Sequence, residues 1–428
     1  MIRKFYDLDT MGGGNDILTK ELPEIKPVSI VTIKEKKVVY KNGEPALAIE
    51  LIHLEENGFE IIAQKDLYQI GDKAVYIIPD YSIPDTSLFE SFNRPGGDEK
   101  KSKLGKRGRI RAIKFNFNKE NSLDAIFSQG ILLPYNEVSK YINLKAGYDG
   151  SDINEIDISK IEDLAKELEI TKYEAPEDGS NSGSGINTGA SKPFPLDMYR
   201  TDETNYLSLK GHISNKLGFP LALIGTMKVD GSSGTFWYKN GQFGIASRNQ
   251  SKPLTIRKIT GRRKASFWET IKIFFGIKID LNIYEETESD SDFVKLGKPY
   301  LDKLVAYCKE NKLNLALRGE LNGQSLKGSG NKNNPSSKEE QNIKFFGADD
   351  YTNSTVKLSE EQFAKIVNDL DLVRCPVIFN KEFNSLEEIE GVCNEYFRTN
   401  MIEGIVIRTL DSKFSCKFMS PNYDSKKD

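Results

Sequence analysis

The first part of the chain is built from short runs of apolar residues that are separated by turn residues. Such runs, with period-two alternation, are typical of β-strands. The predicted strands lie at 28–40, 46–54, 59–64, 73–79, 109–117 and 130–134. Several short strands with turns between them predict a small β-barrel. Apolar residues at helical spacing over 158–170 predict a helix that caps the barrel or leads out of it.

After residue 193 the pattern is mixed. Helical spacing predicts helices at 298–312 and 359–370, and apolar runs predict strands at 221–229 and 402–410. Between the two halves, Gly and Ser crowd together without apolar periodicity, which is typical of a flexible linker. We therefore expect an α+β chain with an N-terminal extension at 1–27, a barrel domain at 28–178, a linker at 179–193 and a second domain at 194–428.

Length and composition narrow the possible chemistry. The 428 residues exceed the roughly 250–300 that one core can organise. No apolar stretch approaches the ~20 residues of a membrane span, and the first residues lack the apolar stretch of a secretory signal. We expect an intracellular protein with no membrane partner. A net charge of −3 neither supports nor excludes a nucleic-acid partner.

Cysteine and histidine are too sparse for several common kinds of site. Four cysteines lie far apart, and the chain has two histidines. This argues against zinc-binding clusters, redox pairs and serine triads. The cysteines are expected to be buried thiols, and any chemistry is expected to use carboxylates, lysines and arginines.

A lysine at the end of an apolar run is the main candidate for chemistry. Lys228 is followed by Asp230 and Gly231 in MKVDGSSGTFWY. Taken alone, this pattern is common, and a strand that leaves into a β-turn with a surface lysine would explain it. Five further segments follow in order and make that explanation less adequate. They lie at 244–250, 315–323, 343–351, 402–409 and 414–420.

This ordered set resembles the active-site motifs of the covalent nucleotidyltransferases, which include ATP-dependent RNA and DNA ligases and mRNA capping enzymes. The resemblance implies an ATP-grasp-like nucleotidyltransferase domain of antiparallel sheets and helices. It also implies that Lys228 attacks the α-phosphorus of ATP and carries AMP. A free lysine has a pKa near 10.4, so the site is expected to depress the pKa of Lys228.

The resemblance also implies roles for other residues, with ATP and Mg²⁺ or Mn²⁺ as cofactors. The implied catalytic residues are Lys228, Glu320, Glu403 and Lys417. The implied nucleotide-binding residues are Lys228, Asp230, Gly231, Arg248, Glu320, Phe346, Val406 and Lys417. The implied metal ligands are Glu320 and Glu403. Phe346 and Val406 would sandwich the adenine, although core packing explains both almost equally well, and Phe345 could exchange roles with Phe346.

The first half resembles the N-terminal OB domain of the fifth RNA ligase family, the Deinococcus/Naegleria type. The matching stretches are 58–86, 108–120 and 128–134. Because only eight residues follow residue 420, we do not expect the C-terminal OB domain that DNA ligases and capping enzymes use. The resemblance thus implies an RNA ligase that seals a 5′-phosphate to a 3′-hydroxyl.

The implied partner is a nicked or broken RNA-containing duplex with RNA on the 3′-hydroxyl side, bound by a monomer. The predicted nucleic-acid-binding residues are Arg109, Arg111, Lys114, Arg262 and Arg263, although a solvated charged face would explain them almost as well. Other functions stay open: a DNA ligase, an mRNA guanylyltransferase, or an RNA-binding OB protein with an inactive transferase domain.

Overall fold

The computed structural model describes most of both halves of the chain. The described residues are 26–41, 43–115, 117, 126–148, 156–173, 192–195, 197–198, 200, 203–326, 334–420 and 423. Residues 1–25 of the predicted extension and residues 179–191 of the predicted linker lie outside them. The last two linker positions, Lys192 and Pro193, form a short strand of the main sheet.

The N-terminal half consists of short strands and three short or medium helices. Its strands are β1 (Val28–Lys41), β2 (Glu44–Leu54), β3 (Glu60–Gln64), β4 (Lys73–Ile77), β5 (Tyr81–Ser82), β6 (Ile113–Phe115), β7 (Ile126–Ser128), β8 (Ile131–Pro134) and β9 (Thr171–Lys172). Its helices are α1 (Glu90–Asn93), α2 (Tyr135–Lys145) and α3 (Leu164–Glu167).

Five of these strands form an antiparallel sheet in the order β3-β2-β1-β4-β8. Strand β4 is buried on both faces. Val75 and Ile77 belong to one apolar cluster, and Ala74 and Tyr76 belong to another. Because successive side chains point to opposite faces, a strand buried on both sides has a continuous apolar run.

Two of the predicted elements in this half are shorter than expected. The strand predicted at 109–117 is reduced to β6. The helix predicted at 158–170 is reduced to a 3₁₀ turn and the four-residue α3. The side chains of Asp157 and Asp163 each cap one of these turns, so two separate N-termini replace one helix. The apolar residues that suggested a helix are nevertheless buried.

The C-terminal half combines longer strands with longer helices. Its strands are β10 (Lys192–Pro193), β11 (Leu221–Lys228), β12 (Ser232–Lys239), β13 (Gln242–Ser247), β14 (Gln250–Lys252), β15 (Thr255–Arg262), β16 (Asn282–Glu288), β17 (Leu315–Asn322), β18 (Asn342–Asp350), β19 (Val356–Lys357), β20 (Val377–Phe383), β21 (Gly404–Thr409) and β22 (Ser415–Met419). Its helices are α4 (Tyr206–His212), α5 (Phe267–Phe274), α6 (Asp292–Asn311), α7 (Glu360–Leu370) and α8 (Leu386–Thr399).

Two antiparallel sheets organise this half. One has seven strands in the order β10-β14-β13-β12-β17-β18-β19, and the other has four in the order β20-β11-β21-β22. Helices α6 and α7 share an apolar core with the seven-stranded sheet, and α4 and α8 share one with the four-stranded sheet. The mixed α and β architecture with antiparallel sheets is confirmed.

A separate antiparallel hairpin, formed by β15 and β16, carries α5 between its strands. No helix in the described ranges is long and apolar enough to cross a membrane. The four cysteines, Cys308, Cys375, Cys393 and Cys416, are buried free thiols, as predicted.

Candidate active site

One face of the four-stranded sheet carries three of the residues singled out from the sequence. Lys228 is the last residue of β11, and Thr226 precedes it by two positions on the same strand. Thr226 lies opposite Val406 of β21, and Val406 lies opposite Lys417 of β22. Residues directly opposite on antiparallel strands share a face, as do alternate residues along a strand. Lys228, Val406 and Lys417 therefore point to the same side.

Lys228 contacts a carboxylate that is distant in sequence. Its Nζ lies 2.6 Å from Oε2 of Glu403, which stands 175 positions later, just before β21. The chain runs so close to its neighbour here that a Cβ on Gly404 would lie 2.6 Å from the carbonyl oxygen of Phe418. Glycine at 404 thus lets the chain deliver Glu403 to the lysine.

The pKa of Lys228 is shifted in the direction opposite to the one expected from the sequence. Burial acts to lower its pKa, but the charge and hydrogen bond of Glu403, together with the charges of Glu320 and Asp230, outweigh burial and raise the pKa. The predicted depression of this pKa is therefore not observed. Burial also raises the pKa of Glu403, although Lys228 opposes the effect.

Glu320 approaches the same point from the seven-stranded sheet. It lies on β17, between Ser233 of β12 and Lys344 of β18. Burial raises its pKa to about 8, with an opposing effect from Lys228 and a reinforcing one from Glu403. Glu320 is thus a strand residue in the interior of the sheet. Glu320 of the seven-stranded sheet therefore lies close enough to Lys228 and Glu403, which belong to the four-stranded sheet and its edge, for their charges to interact.

The turn after Lys228 is held by tight packing and by two polar contacts. A Cβ on Gly231 would lie 2.1 Å from the carbonyl oxygen of Leu321, so glycine is required for this close approach. The Asp230 carboxylate accepts a 2.6 Å hydrogen bond from the hydroxyl of Tyr423. Its backbone carbonyl accepts a 2.8 Å bond from the side-chain amide of Asn334.

A β-bulge separates the two neighbouring phenylalanines of β18. Phe345 lies opposite Gly319 and Gly347 lies opposite Arg318, which leaves Phe346 as the extra residue. Phe345 is fully buried in the core of this half. Phe346 lines a cavity of about 40 Å³, and the guanidinium of Arg408 lies 5.8 Å from its ring centroid. Phe345 is therefore a core residue, and only Phe346 is available to a ligand.

Arg248 and Lys417 lie close enough to influence the acids. Arg248 is exposed just after β13, and its charge acts to lower the pKa of Glu320. Lys417 acts in the same way on Glu403. The backbone N–H of Lys417 donates a 2.8 Å bond to the carbonyl of Thr204, which ties β22 to the segment before α4.

The carboxylates of the site fit a metal ion that is bound partly by the protein and partly by substrate phosphates. Glu320 and Glu403 would be the oxygen donors, and no group of three or more His, Cys, Asp or Glu side chains in the described ranges is arranged to hold an ion. Mg²⁺ is commonly bound through one or two carboxylates, with waters and substrate phosphates completing its shell. Two carboxylates beside a lysine suit this mode.

The predicted nucleic-acid-binding residues lie in two separate places. Arg109 forms an ion pair with Asp80 and lies 4.6 Å from the centroid of the Tyr173 ring. Arg111 donates to a backbone carbonyl at 3.4 Å, and Lys114 lies on β6. The other two arginines, Arg262 and Arg263, lie at the outer end of β15, where Arg263 forms a bidentate pair with Glu269.

Two contributors were not identified from the sequence. Arg318 of β17 is buried and bonds the carboxylate of Asp349 and the hydroxyls of Thr235 and Tyr351. An arginine inside the apolar run LALRGEL could have indicated such a buried pair. Tyr423 carries no signal in the sequence, because its contact with Asp230 spans 193 positions.

Comparison with known proteins agrees with this geometry. Residues 222–420 match the model of the RNA ligase family. No curated protein matches the chain. Among solved structures, an arginine-to-alanine mutant of Naegleria gruberi RNA ligase with ATP and Mn is similar, with a TM-score of 0.60 and 21% identity over 93% of this chain and 97% of that chain.

Two further structures of the Naegleria gruberi RNA ligase are similar to the same degree. A lysine-to-methionine mutant with AMP and Mn, and the ligase with PPi, each have a TM-score of 0.61 and 20% identity over 92% of this chain and 97% of theirs. At this identity the likeness establishes the fold. Together with the match of residues 222–420 to the RNA ligase family model, it supports an ATP-dependent RNA ligase enzyme.

Proposed function

We propose that this protein joins RNA ends by carrying AMP on Lys228. ATP and the Lys228 amine form a lysyl-AMP phosphoramidate and release pyrophosphate. AMP then moves to a 5′-phosphate, and a 3′-hydroxyl attacks, forms the phosphodiester and releases AMP. The observation that carries the proposal is the 2.6 Å contact of Lys228 with Glu403 on the four-stranded sheet, with the charge of Glu320 acting on Lys228 and that of Lys417 acting on Glu403.

The amine of Lys228 must be neutral to attack, and the neighbouring carboxylates oppose its deprotonation. The carboxylates around Lys228 raise its pKa, so its ion pair with Glu403 has to separate first. Mg²⁺ or Mn²⁺ held by Glu403 and Glu320 would neutralise those carboxylates and the charge of the pyrophosphate. The ammonium of Lys417, on the same sheet face, would stabilise the negative charge that develops on the α-phosphate. The ATP and Mn in similar Naegleria structures support these cofactors.

The nucleotide would lie between the two sheets. Phe346, which the bulge turns away from the core, offers a ring for the adenine, and Val406 offers an aliphatic face across the cleft. Arg408 now lies over the Phe346 ring, so its side chain would move aside or stack on the base. Asp230, Gly231 and Arg248 would contact the ribose and phosphates.

The N-terminal half is proposed to be an OB-type nucleic-acid-binding domain at 28–178. Its five-stranded antiparallel sheet and the likeness to the Naegleria ligase over 93% of the chain support this assignment. Arg109, Arg111 and Lys114 would then contact the phosphate backbone. The substrate is a nick or break whose 3′-hydroxyl strand ends in RNA.

Labelling with radioactive ATP tests the first step. Wild type should become labelled, and Lys228→Ala should not. Lys239→Ala is a matched control, because Lys239 also ends a strand and pairs with a carboxylate, and it should label normally. A labelled Lys228→Ala protein would contradict the assignment. Preference for GTP would indicate a guanylyltransferase, and no label from either nucleotide would indicate a binding protein.

The substrate is tested with four nicked duplexes that have RNA or DNA on each side of the nick. We expect efficient sealing only where the 3′-hydroxyl strand ends in RNA, since the 2′-hydroxyl is the group that distinguishes the two. Equal sealing of a DNA 3′-hydroxyl would refute this preference and favour a DNA ligase.

A further inference from the structure

The hairpin at 255–288 exposes an apolar face that no described residue covers. Helix α5 has no buried residue. The side chains of Phe267, Trp268, Phe274 and Phe275 are 73%, 71%, 85% and 75% exposed. At 100° per residue, these four fall within one third of the helix circumference. An exposed aromatic cluster of this size marks an interaction surface.

The helix is held by local contacts instead of by a core. Ser266 and Glu269 form a capping box, and Glu269 also accepts a bidentate pair from Arg263. Isolated helices of this length are marginal in water. The chain thus uses caps and an ion pair to keep an aromatic face ordered while it stays exposed, which is the arrangement of a preformed binding site.

Charge along the hairpin is divided between its two ends. The tip, residues 262–278, contains five basic residues and one acidic residue. At the root, the charges are paired: Arg257 with Glu286, and Lys258 with Asp290. The tip therefore presents an aromatic face with a surplus of positive charge, a combination that binds single-stranded nucleic acid.

We propose that this tip binds a single-stranded stretch of the RNA substrate at a distance from the break, by stacking unpaired bases on Trp268 and Phe274 and by neutralising phosphates with the cations of the tip. The inference rests on the proposed function, because it concerns the substrate of the same enzyme. The hairpin leaves the seven-stranded sheet directly after β14, close to Arg248. Strand β15, with eight residues, extends about 26 Å, so the contact lies well away from the reacting ends.

Other occupants fit less well. A second copy would bring two positively charged tips together. A lipid surface suits basic amphipathic helices that are usually longer, whereas eight-residue α5 is only about 12 Å long. The rings of Phe267 with Trp268, and of Phe274 with Phe275, form edge-to-face pairs at 71° and 84°. Each pair leaves ring faces accessible to a base.

The fluorescence of Trp268 can report directly on binding to this surface. The chain has two tryptophans, and the other one, Trp237, packs against a buried cluster. Adding oligouridylate should quench the emission of wild type, and Trp268→Phe should lose most of this response. In Trp268→Ala/Phe274→Ala, which removes two stacking rings, oligouridylate should bind at least about 25-fold more weakly, as the loss of two base stacks implies. Leu144→Ala, an exposed apolar residue on another helix, should bind as wild type.

Sealing assays connect this surface to the reaction. The double variant should show a raised KM for ends that carry a single-stranded stretch, with lysyl-AMP formation unchanged. Oligouridylate binding is measured without ATP, so a wild type that forms no lysyl-AMP would contradict only the proposed function. Unchanged oligouridylate binding in the double variant would overturn only this inference. A shift of Trp268 emission to shorter wavelength with phosphatidylglycerol vesicles, and no response to oligouridylate, would overturn it in favour of a membrane surface.

Discussion

The ion pair between Arg318 and Asp349 should be the most costly polar contact in the catalytic half to break from one side. Both side chains are only 3% exposed, and the Nε–Oδ2 distance is 2.6 Å. The pair joins β17 and β18, the strands that carry Glu320 and Phe346. We predict that Arg318→Met strongly destabilises this half of the chain.

The magnitude follows from the partners left behind. Removing one side of a buried ion pair leaves an uncompensated charge and costs about 3–5 kcal/mol. In Arg318→Met/Asp349→Leu both charges are gone, so much of this loss should be recovered. Recovery should stay incomplete, because the hydroxyls of Thr235 and Tyr351 also bond Arg318, and an unsatisfied buried polar group costs about 1–3 kcal/mol.

Urea unfolding at pH 7 measures these differences through the midpoint and slope of the transition. Arg257→Met is the matched control, because the pair of Arg257 with Glu286 is 61% and 64% exposed, and breaking it should cost less than about 1 kcal/mol. If Arg318→Met were no more destabilising than Arg257→Met, the reasoning about the buried pair would be refuted.

Three further results are expected. Gly231→Ala should abolish lysyl-AMP formation without unfolding the chain, since its Cβ would lie 2.1 Å from a backbone oxygen; normal labelling would show that the turn can relax. Tyr423→Phe removes a bond to the Asp230 carboxylate and should slow labelling about 10- to 150-fold, with little change in KM for ATP. Because the pKa of Lys228 is raised and attack needs the neutral amine, single-turnover labelling should accelerate as pH rises through the alkaline range; a flat profile would contradict this.

Local patterns in the sequence located two strands and two helices of the catalytic half. Strands β11 and β21 and helix α7 agree with the predicted positions to within two residues. These elements have clear apolar periodicity, because each buries a single face or a continuous run. The helix predicted at 298–312 begins at Asp292. The weakest predictions were at 109–117 and 158–170, where side-chain caps and ion pairs interrupt the periodic pattern.

The order of the motifs was enough to single out Lys228, Glu320, Glu403 and Lys417 as candidates for chemistry. Their spatial arrangement depends on the folded chain. Strand register placed Lys228, Val406 and Lys417 on one face, a bulge turned Phe346 outward and left Phe345 in the core, and a distant tyrosine reached Asp230. Apolar periodicity reports whether a residue is buried, but it carries no information about which strand lies beside which. Contacts across 175 or 193 positions, and therefore the charge state of Lys228, depend on the packing of the whole chain.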